Sequence, residues 1–292
     1  MRKIAAALIL VYLAFFTLFG PALAPFPENY TETSMELDGE WIYSPYGPNE
    51  RHLLGTDIWG YDMLSRVLHG FRYTVGAVLL FAGGRVLLGL LLGTLLGLRR
   101  RGQGRALPRA PIAIPAFIIV YFTVFRVSIG SPLSIGQLFV LQGALIVLVG
   151  LPGLIASFAD DTRDLLGQEF AQAAVSVGAG KARLLTHHVL PHMTGRTVQR
   201  FVGEAVAVMV LLGQLAMFNV FLGGTEVRFS PVIYLSRTNE LAGMVGEYRA
   251  YLTSNQWLLL SPLAAYLSVL LAFFALSRIV KTMTRLERGK YL

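Results

Sequence analysis

Six apolar segments, each long enough to cross a lipid bilayer as a helix, dominate this chain of 292 residues. A helix rises about 1.5 Å per residue, so about 20 apolar residues span the hydrocarbon core. Because backbone polar groups in lipid must be paired within the structure, the segments predict an all-α integral membrane protein with six transmembrane helices. The predicted spans are 4–23, 73–98, 112–129, 135–159, 198–222 and 257–280.

The basic residues are distributed unequally between the two sides of this predicted membrane protein. If both termini are cytoplasmic, 17 of the 25 Lys and Arg residues fall inside, six fall outside and two lie within spans. The positive-inside rule therefore predicts cytoplasmic N and C termini in the cell membrane. Topology accounts for the net charge of +8, so the charge does not indicate a nucleic-acid partner. The absence of cysteine excludes disulfides, thiolate metal sites and cysteine nucleophiles.

A polar segment between the fourth and fifth predicted spans has a definite internal pattern. An alanine pair, Ala173 and Ala174, is followed by Gly178, which allows a turn after a short helix at about 168–177. Pro191 suits the first turn of the next helix. Four small residues predict a smooth helical face that enters a groove on a partner: Ala171, Ala174, Val175 and Ala182. The alternative is an ordinary amphipathic helix at the membrane surface.

A second pattern precedes the second predicted span, where residues 52–74 read HLLGTDIWGYDMLSRVLHGFRYT. Thr56 and Asp57 in this stretch favour a helix cap or a tight turn. The whole segment 25–72 is predicted to be an irregular cap on the outer face that contains short helical pieces. A second outer segment is predicted at about 223–256.

Taken together, the two patterns resemble those of binding-protein-dependent ABC importer permeases. The coupling loop of that family has an Ala-Ala pair, a glycine and a hydrophobic-Leu-Pro end. The segment 52–74 is similar to the outer-face signature of the dipeptide, oligopeptide and nickel branch. It departs from that signature at Leu53, Tyr61 and Phe71, where proline, arginine and a small residue are usual. The chain is identified as a C-type permease subunit of this branch.

The resemblance implies two sets of functional residues. The set that couples the chain to an ATPase is Glu169, Gln172, Ala173, Ala174, Gly178, Leu190 and Pro191. The outer-face set is Gly55, Thr56, Asp57, Gly60, Asp62, Ser65, Arg66 and Arg72. Because Tyr61 replaces the usual arginine, the resemblance does not supply an arginine partner at that position for Asp57 or Asp62.

The family also implies a fold and a function. The expected fold is the type I ABC importer permease fold, with residues 1–72 forming the first helix and outer-face segment. Residues 73–292 are expected to form a five-helix core with a cytoplasmic coupling loop at 160–196. The expected function is import of di- or oligopeptides, or a related small solute, by alternating access. The expected partners are ABC ATPase subunits, a second homologous permease chain and an extracytoplasmic solute-binding protein.

No enzymatic activity and no cofactor are expected of the chain itself. Residues 178–181 read GAGK, but Val175 and Ala182 stand where a phosphate-binding loop needs glycine and Ser or Thr, so ATP hydrolysis is expected on the partner chains. A membrane channel or assembly scaffold without an ATPase is the alternative function. An intramembrane enzyme is a weaker alternative, because the spans contain no nucleophile–base set.

The first span has two interpretations. Arg2 and Lys3 precede the apolar stretch, and the small residues of Ala22-Leu23-Ala24 are typical of a signal-peptide cleavage site. Cleavage would leave five spans. The family resemblance favours a retained helix, because the outer-face signature follows an intact first helix in the family.

Two further features of the spans predict contacts. Arg85 and Glu204 are ionisable groups inside apolar segments and are predicted to pair. The alternative is that either residue lines the transport pathway. Three glycines at four-residue spacing predict close packing against another helix: Gly89, Gly93 and Gly97. Three histidines near the end of the coupling loop are interpreted as part of a basic inner rim and not as a metal site: His187, His188 and His192.

Overall fold

The computed structural model describes residues 1–37, 39–99, 114–229 and 232–288, and it is mostly helical. The helices are α1 Arg2–Leu23, α2 Met63–Arg99, α3 Ala116–Ser128, α4 Ile135–Leu166, α5 Glu169–Ser176, α6 Lys181–Leu184, α7 Leu190–Met217, α8 Leu241–Tyr248 and α9 Gln256–Arg288. A π-helical turn, Leu185–Val189, joins α6 to α7, and a 3-10 turn, Arg249–Thr253, follows α8. Two antiparallel hairpins pair β1 Ser34–Leu37 with β2 Glu40–Tyr43, and β3 Thr225–Arg228 with β4 Ile233–Ser236.

Within the described residues, five helices are long and apolar enough to cross a membrane. They are Arg2–Leu23, Met63–Leu98, Ile135–Leu166, Ala182–Met217 and Gln256–Thr284. The third predicted span is helical over Ala116–Ser128, a helix of 13 residues that is about 20 Å long. Its predicted start lies outside the described residues, as do the basic residues Arg100, Arg101, Arg105 and Arg109. The sixth span therefore stays a prediction.

The predicted outer segments contain β-hairpins. Of the short helical pieces predicted within residues 25–72, only residues 63–72 are helical, as the start of α2, and the described residues between 25 and 62 contain no helix. In the first hairpin, Met35 pairs with Ile42 and Glu36 with Trp41. The missed signal is the Asp-Gly dipeptide at 38–39 between two short strands, which favours a tight hairpin turn. Gly39 has φ +84°, a left-handed conformation that glycine adopts without steric cost.

Two helices have ends that differ from the predicted spans. Helix α2 begins at Met63. Residues 63–72, which were predicted to belong to the outer segment, therefore lengthen the helix at its N-terminal end, before the predicted span. Helix α7 ends at Met217 although the apolar run continues to residue 222. It ends there because Asn219 adopts φ +59° and the N–H groups of residues 218–220 turn back to the carbonyls of Leu215 and Ala216.

Helices α2, α4, α7, α8 and α9 share one apolar core. Its fully buried members include Val78, Ile146, Met209, Met244 and Val269. Helix α1 packs on α2 and α9, where the Tyr12 hydroxyl lies 2.6 Å from Ser268 Oγ. The first predicted span is thus part of the packed helical bundle.

The predicted glycine face of α2 lies against α4 and is confirmed. A Cβ added at Gly89 would lie 2.9 Å from Leu154 Cβ. At Gly93 it would lie 2.6 Å from Phe158 Cβ, and at Gly97 2.7 Å from Thr162 Cβ. The absence of side chains at these three positions is what permits the two helices to approach so closely.

We expect Gly93→Leu to separate α2 from α4 and to lower the thermal stability of the purified protein. The leucine side chain would meet both Phe158 Cβ and the backbone oxygen of Ile155, at 2.6 and 2.7 Å from its own Cβ, and overpacking costs about 1–3 kcal/mol. Gly76→Leu, in the same helix, is the control, because no atom lies within 4 Å of a Cβ there. Equal melting temperatures for the two variants in detergent would contradict the packing.

Candidate functional sites

The predicted coupling helix is present as α5, Glu169–Ser176, with Gln168 before its first turn and Val177 after its last. The chain then turns at Gly178, whose φ is +88° and whose N–H donates to the Val175 carbonyl at 2.9 Å. Both the predicted helix and the predicted glycine turn are therefore observed. No side-chain cap holds the start of the helix, which is short and depends on packing for its stability.

The four residues that the sequence predicted as a docking face differ in exposure. Ala182, beyond the turn, is exposed, and the other three are turned wholly or partly inward. Docking of a partner on this face stays a prediction. Ala171 is 1% exposed, and Ala174 and Val175 are half-buried against the same cluster, which includes Phe158 and Met193. Small apolar side chains suit the protein's own core as well as a partner's groove, so the sequence did not distinguish the two. The exposed face carries Glu169, Gln172, Ala173, Ser176 and Val177.

Beyond the turn, the chain enters a long continuous helical stretch. Pro191 lies in the first turn of α7, as predicted, but α6 and the π-helical turn lead directly into it. The Leu190 N–H reaches back five residues to the Leu185 carbonyl. This wider turn comes just before the proline, which has no N–H to donate to the preceding turn. Leu190 is half-buried and Pro191 is exposed.

Aromatic stacking attaches α5 to α7. The Phe170 ring stacks on the His192 ring with centroids 4.7 Å apart and planes 14° apart. His192 Nδ1 lies 2.6 Å from the His188 carbonyl, so that ring nitrogen donates to the backbone. Across the described residues, no group of three or more His, Asp or Glu side chains is placed to hold a metal ion.

Ion pairs tie together the two helices that flank the coupling segment. Asp161 on α4 accepts a hydrogen bond of 2.5 Å from Arg196 on α7, and Arg200 lies 2.6 Å from its other oxygen. Arg200 also lies over the Phe158 ring, 4.2 Å from its centroid. The two helices that precede and follow the coupling segment are therefore joined to each other.

In the segment predicted to lie on the outer face, Asp57 organises the tight turn that the sequence predicted. Its Oδ1 accepts the N–H groups of Trp59 and Tyr61 at 2.9 and 2.8 Å. Gly55 and Gly60 have φ values of +73° and +80°, and a Cβ at Gly60 would lie 2.4 Å from the Glu32 carbonyl oxygen. Glycine is required there by both conformation and space. The Thr56 hydroxyl accepts the N–H of Tyr46 at 3.1 Å.

Asp62 and Ser65 link the outer turn to the start of α2. Asp62 Oδ1 lies 2.9 Å from His52 Nδ1, and its Oδ2 accepts the Ser65 N–H at 2.7 Å. The other nitrogen of His52 lies 3.2 Å from Glu32. The Ser65 hydroxyl in turn accepts the N–H of Phe26 at 3.2 Å. Asp62 therefore has a histidine partner in place of the arginine usual at position 61.

Arg66 joins the outer turn to α8. It donates to Asp57 Oδ2 at 2.5 Å and also to the Tyr248 hydroxyl and Asn239 Oδ1. The Tyr248 hydroxyl itself donates to Asp57 at 3.0 Å. Burial is the main reason that the pKa of Tyr248 lies well above its ordinary value. Sequence reasoning missed Asn239 and Tyr248, and it assigned a role to Arg72, which is exposed.

Glu240 begins α8 as a buried carboxyl. It is 1% exposed, and its Oε2 accepts the Ala242 N–H at 2.8 Å. Burial raises the pKa of Glu240 from 4.5 to about 7, and three backbone hydrogen bonds oppose the rise only in part. The folded protein thus binds a proton at this carboxyl more tightly than the unfolded chain does. The stabilisation is complete below about pH 4.5 and is lost as the pH rises through about 7.

We expect Glu240→Gln to raise the melting temperature at pH 8 and to leave it nearly unchanged at pH 5. The amide has no charge to desolvate, yet its oxygen can still accept the Ala242 N–H. Melting curves in detergent at the two pH values test this, with exposed Glu36→Gln as the control. A pH-independent effect of the Glu240 change would contradict the titration.

The predicted pair of Arg85 and Glu204 is present. Arg85 Nη1 donates to Glu204 Oε2 at 2.8 Å, and Arg85 Nε and Nη2 both donate to the Ile146 carbonyl at 3.0 and 2.8 Å. One side chain thus joins α2, α4 and α7. Gly150 makes room for it, since a Cβ there would lie 2.4 Å from Arg85 Nε.

Comparison with known proteins finds permeases over most of the chain. No family model matches it. The chain is 27% identical over 274 residues to the dipeptide transport system permease protein DppC of Haemophilus influenzae, covering 91% of this chain and 84% of that protein. It is 26% identical over 265 residues to the di/tripeptide transport system permease protein DppC of Pseudomonas aeruginosa, covering 90% and 81%. It is 26% identical over 266 residues to the oligopeptide transport system permease protein OppC of Haemophilus influenzae, covering 89% and 78%.

Several permeases from different bacteria thus align along about nine-tenths of the chain, and the apolar helices of the fold agree with them. These relatives are transport subunits and not enzymes, and the same holds for this chain. It is a multi-pass protein of the inner membrane. The chain is thus similar, over about nine-tenths of its length, to C-type permease subunits of dipeptide and oligopeptide importers.

Proposed function

We propose that this chain forms one half of the pathway through which short peptides enter the cell. The single observation that supports the substrate class is the similarity along 91% of the chain to a dipeptide permease. Similar permeases named for di/tripeptides and oligopeptides support the same class. The chain carries no catalytic group in this proposal, and its contribution is a change of conformation that alternates access to the pathway.

Helix α5 is the proposed contact with an ATPase subunit. Its outward face presents Glu169, Gln172 and Ala173, while Ala171 anchors the opposite face in the chain's own core. Docking of α5 in a groove would pass motion of the ATPase to α4 and α7, which the Asp161 ion pairs hold together. Gly178, Leu190 and Pro191 then set the path of the chain as it leaves the contact.

The proposed partners are those that the similar permeases imply. They are separate ABC ATPase subunits inside, a second homologous permease chain in the membrane and a solute-binding protein outside. The residues Gly55, Thr56, Gly60 and their neighbours up to Arg72 are proposed to shape the outer gate, and they act as structural elements. Arg66 is the central one, because it links the outer turn to α8.

The proposed topology has six transmembrane helices and two cytoplasmic termini. In this arrangement Ala116–Ser128 belongs to a span that continues into residues outside the described part of the chain. The first helix and outer segment, 1–72, precede a core, 73–292, that contains the coupling loop 160–196. Contacts of α1 with α2 and α9 support retention of the first helix.

Reconstitution tests the proposal. The chain is purified with whatever copurifies, the partners are identified by mass spectrometry of the intact complex, and the complex is placed in proteoliposomes. We expect uptake of a labelled dipeptide that requires ATP, the binding protein and this chain. Uptake that proceeds without ATP would indicate a channel, and a complex without any ATPase would indicate a scaffold.

A further inference from the structure

Exposed basic side chains are concentrated where α1 begins and where α9 nears its end. Arg2 and Lys3 lie in the first turn of α1, and Arg278 and Lys281 lie in the last third of α9. All four side chains are exposed. The stretches around them, residues 1–8 and 271–284, contain no Asp or Glu. These two helix ends therefore carry four positive charges without a carboxylate from their own segments.

Helices α1 and α9 run in opposite directions through the bundle. A Cβ at Gly20, near the end of α1, would lie 2.8 Å from the carbonyl oxygen of Leu68 in the second turn of α2. Trp257, at the start of α9, donates to the carbonyl of Thr56 just before α2, at 3.2 Å. The end of α1 and the start of α9 thus lie at the same side of the bundle, so the start of α1 and the end of α9 share the other side.

The charges of the two helices also lie at a similar depth. The Tyr12 hydroxyl, 2.6 Å from Ser268 Oγ, fixes the position of α1 along α9. Arg2 is ten positions before Tyr12, and Arg278 is ten positions after Ser268. Ten residues of α-helix are about 15 Å long. The basic residues of both helices are therefore expected at one boundary of the membrane.

Other arginines at this side of the bundle are ion-paired, whereas these four basic residues are not. The start of α7 lies beside the end of α9, since a Cβ at Gly195 would be 3.4 Å from Thr284 Cγ2. On α7, Arg196 and Arg200 lie 2.5 and 2.6 Å from the two oxygens of Asp161. The basic residues of α1 and α9 have no ion pair within the described part of the chain. Their charges remain available to an anionic group outside the protein.

Large apolar side chains continue from these charges toward the middle of the membrane. On α9, Leu267, Leu271 and Phe274 form a stripe in which each side chain is between 42% and 62% exposed. The Arg278 guanidinium lies over the Phe274 ring, with its central carbon 5.0 Å from the ring centroid. On α1, the exposed apolar residues nearest the basic end are Ile4, Leu8 and Val11. A phosphate above two acyl chains has the same arrangement of charge and apolar surface.

A second protein chain is the alternative occupant of an exposed apolar face. Contacts between membrane helices favour small and polar residues. Such residues lie on the exposed side of α7, at Gly203, Ala207 and Gln214. The stripe on α9 consists of leucine and phenylalanine, which suit flexible acyl chains better than a close helix contact. The apolar side chains and the unpaired charges thus both favour lipid.

We propose that the basic ends of α1 and α9 bind an anionic phospholipid. Its phosphate would lie at Arg278 and Lys281, with Arg2 and Lys3 adding positive charge at the same depth, and an acyl chain would follow the stripe on α9. Arginine suits a phosphate because its N–H groups can donate to two phosphate oxygens. Each basic residue near an anionic membrane surface should favour binding about fivefold. Such a site would be occupied whichever solute the importer carries.

Native mass spectrometry of the purified protein, with the subunits that copurify, tests the proposal. The protein is incubated with equal amounts of phosphatidylglycerol and phosphatidylcholine that have the same acyl chains. We expect about fivefold or greater retention of phosphatidylglycerol over phosphatidylcholine. Inorganic phosphate is added in a parallel series, and it should not displace the lipid because it lacks acyl chains.

Substitutions locate the site. Arg278→Gln and Lys281→Gln should each lower retention of phosphatidylglycerol about fivefold and leave retention of phosphatidylcholine unchanged. Arg278→Lys keeps the charge and should retain most of the preference. Arg126→Gln is the matched control, because Arg126 is an exposed arginine on α3, away from α1 and α9. Melting temperatures in a neutral detergent show whether all variants are folded alike.

Three results would overturn the inference: equal retention of the two lipids, equal effects of Arg278→Gln and Arg126→Gln, or displacement of the lipid by millimolar inorganic phosphate. Lipid that binds the chain purified alone but not the complex would assign this face to the second permease chain and would also overturn it.

Uptake of dipeptide by the complete system is measured in parallel, because it separates this inference from the proposed function. Intact uptake without any preference for the anionic lipid would remove only the lipid site. A preserved lipid preference without peptide uptake would remove the proposed substrate and leave the lipid site in place.

Discussion

Ala173→Trp should abolish stimulation of ATP hydrolysis by the loaded binding protein while the subunit still folds and inserts. Ala173 is exposed on α5, on the side away from Ala171, so an indole there does not enter the chain's own core. In a docked complex the same indole would occupy space that the ATPase needs. Overpacking costs about 1–3 kcal/mol. That range corresponds to roughly 5- to 150-fold weaker docking.

The measurement is ATPase activity of the reconstituted complex with and without loaded binding protein. Ala22→Trp is the matched control, since Ala22 is an exposed alanine near the end of α1, where a membrane-interface tryptophan is well tolerated. The half-buried Ala174 is less suitable, because bulk there would disturb the cluster around Phe158. Stimulation of the Ala173 variant to the level of the control would refute the coupling role of α5.

Local sequence patterns predicted the features that depend on local physics. The lengths of the apolar runs located the long helices, and the three glycines of α2 located its contact with α4. Gly178 predicted the turn after α5, because a left-handed conformation at that point favours glycine over any other residue. In each of these cases, the residues of a single segment of the chain were enough to predict the structure.

The features that were missed depend on segments far apart in the chain. Arg66 meets Tyr248, 182 positions away, through a helix whose placement no local pattern specifies. The inward face of α5 likewise depends on where α4 and α7 lie. Small apolar side chains such as Ala171 fit either environment, so only the three-dimensional arrangement decides which face remains free for a partner.

The contacts of Arg85 were predicted only in part. An unpaired charge in a membrane span is strongly disfavoured, so this energetic cost was enough to predict that Arg85 has a partner. In the structure Glu204 is that partner, 2.8 Å away. The second partner, the Ile146 carbonyl, could not be predicted, because it depends on the missing side chain of Gly150. Because Arg85 makes this extra contact and Glu204 does not, we expect the loss of Arg85 to cost more stability than the loss of Glu204.

Arg85→Leu should therefore be the most destabilising single change in the membrane core, with a cost of about 3–5 kcal/mol, the range for removing one partner of a buried ion pair. It leaves Glu204 without its cation and removes two hydrogen bonds to Ile146. Glu204→Leu should cost less, because Arg85 keeps the Ile146 carbonyl. The double change should cost less than the sum of the two single changes, since neither charge is then left alone.

A double-mutant cycle on unfolding in detergent measures this coupling, and uptake by the reconstituted complex shows whether stability and transport fall together. Arg126→Leu is the control, because Arg126 is exposed near the end of α3. Additive costs would mean that the two side chains do not stabilise each other despite their contact. Arg85 would then act through Ile146 alone, and a change at Gly150 that displaces the guanidinium should reproduce the whole effect of Arg85→Leu.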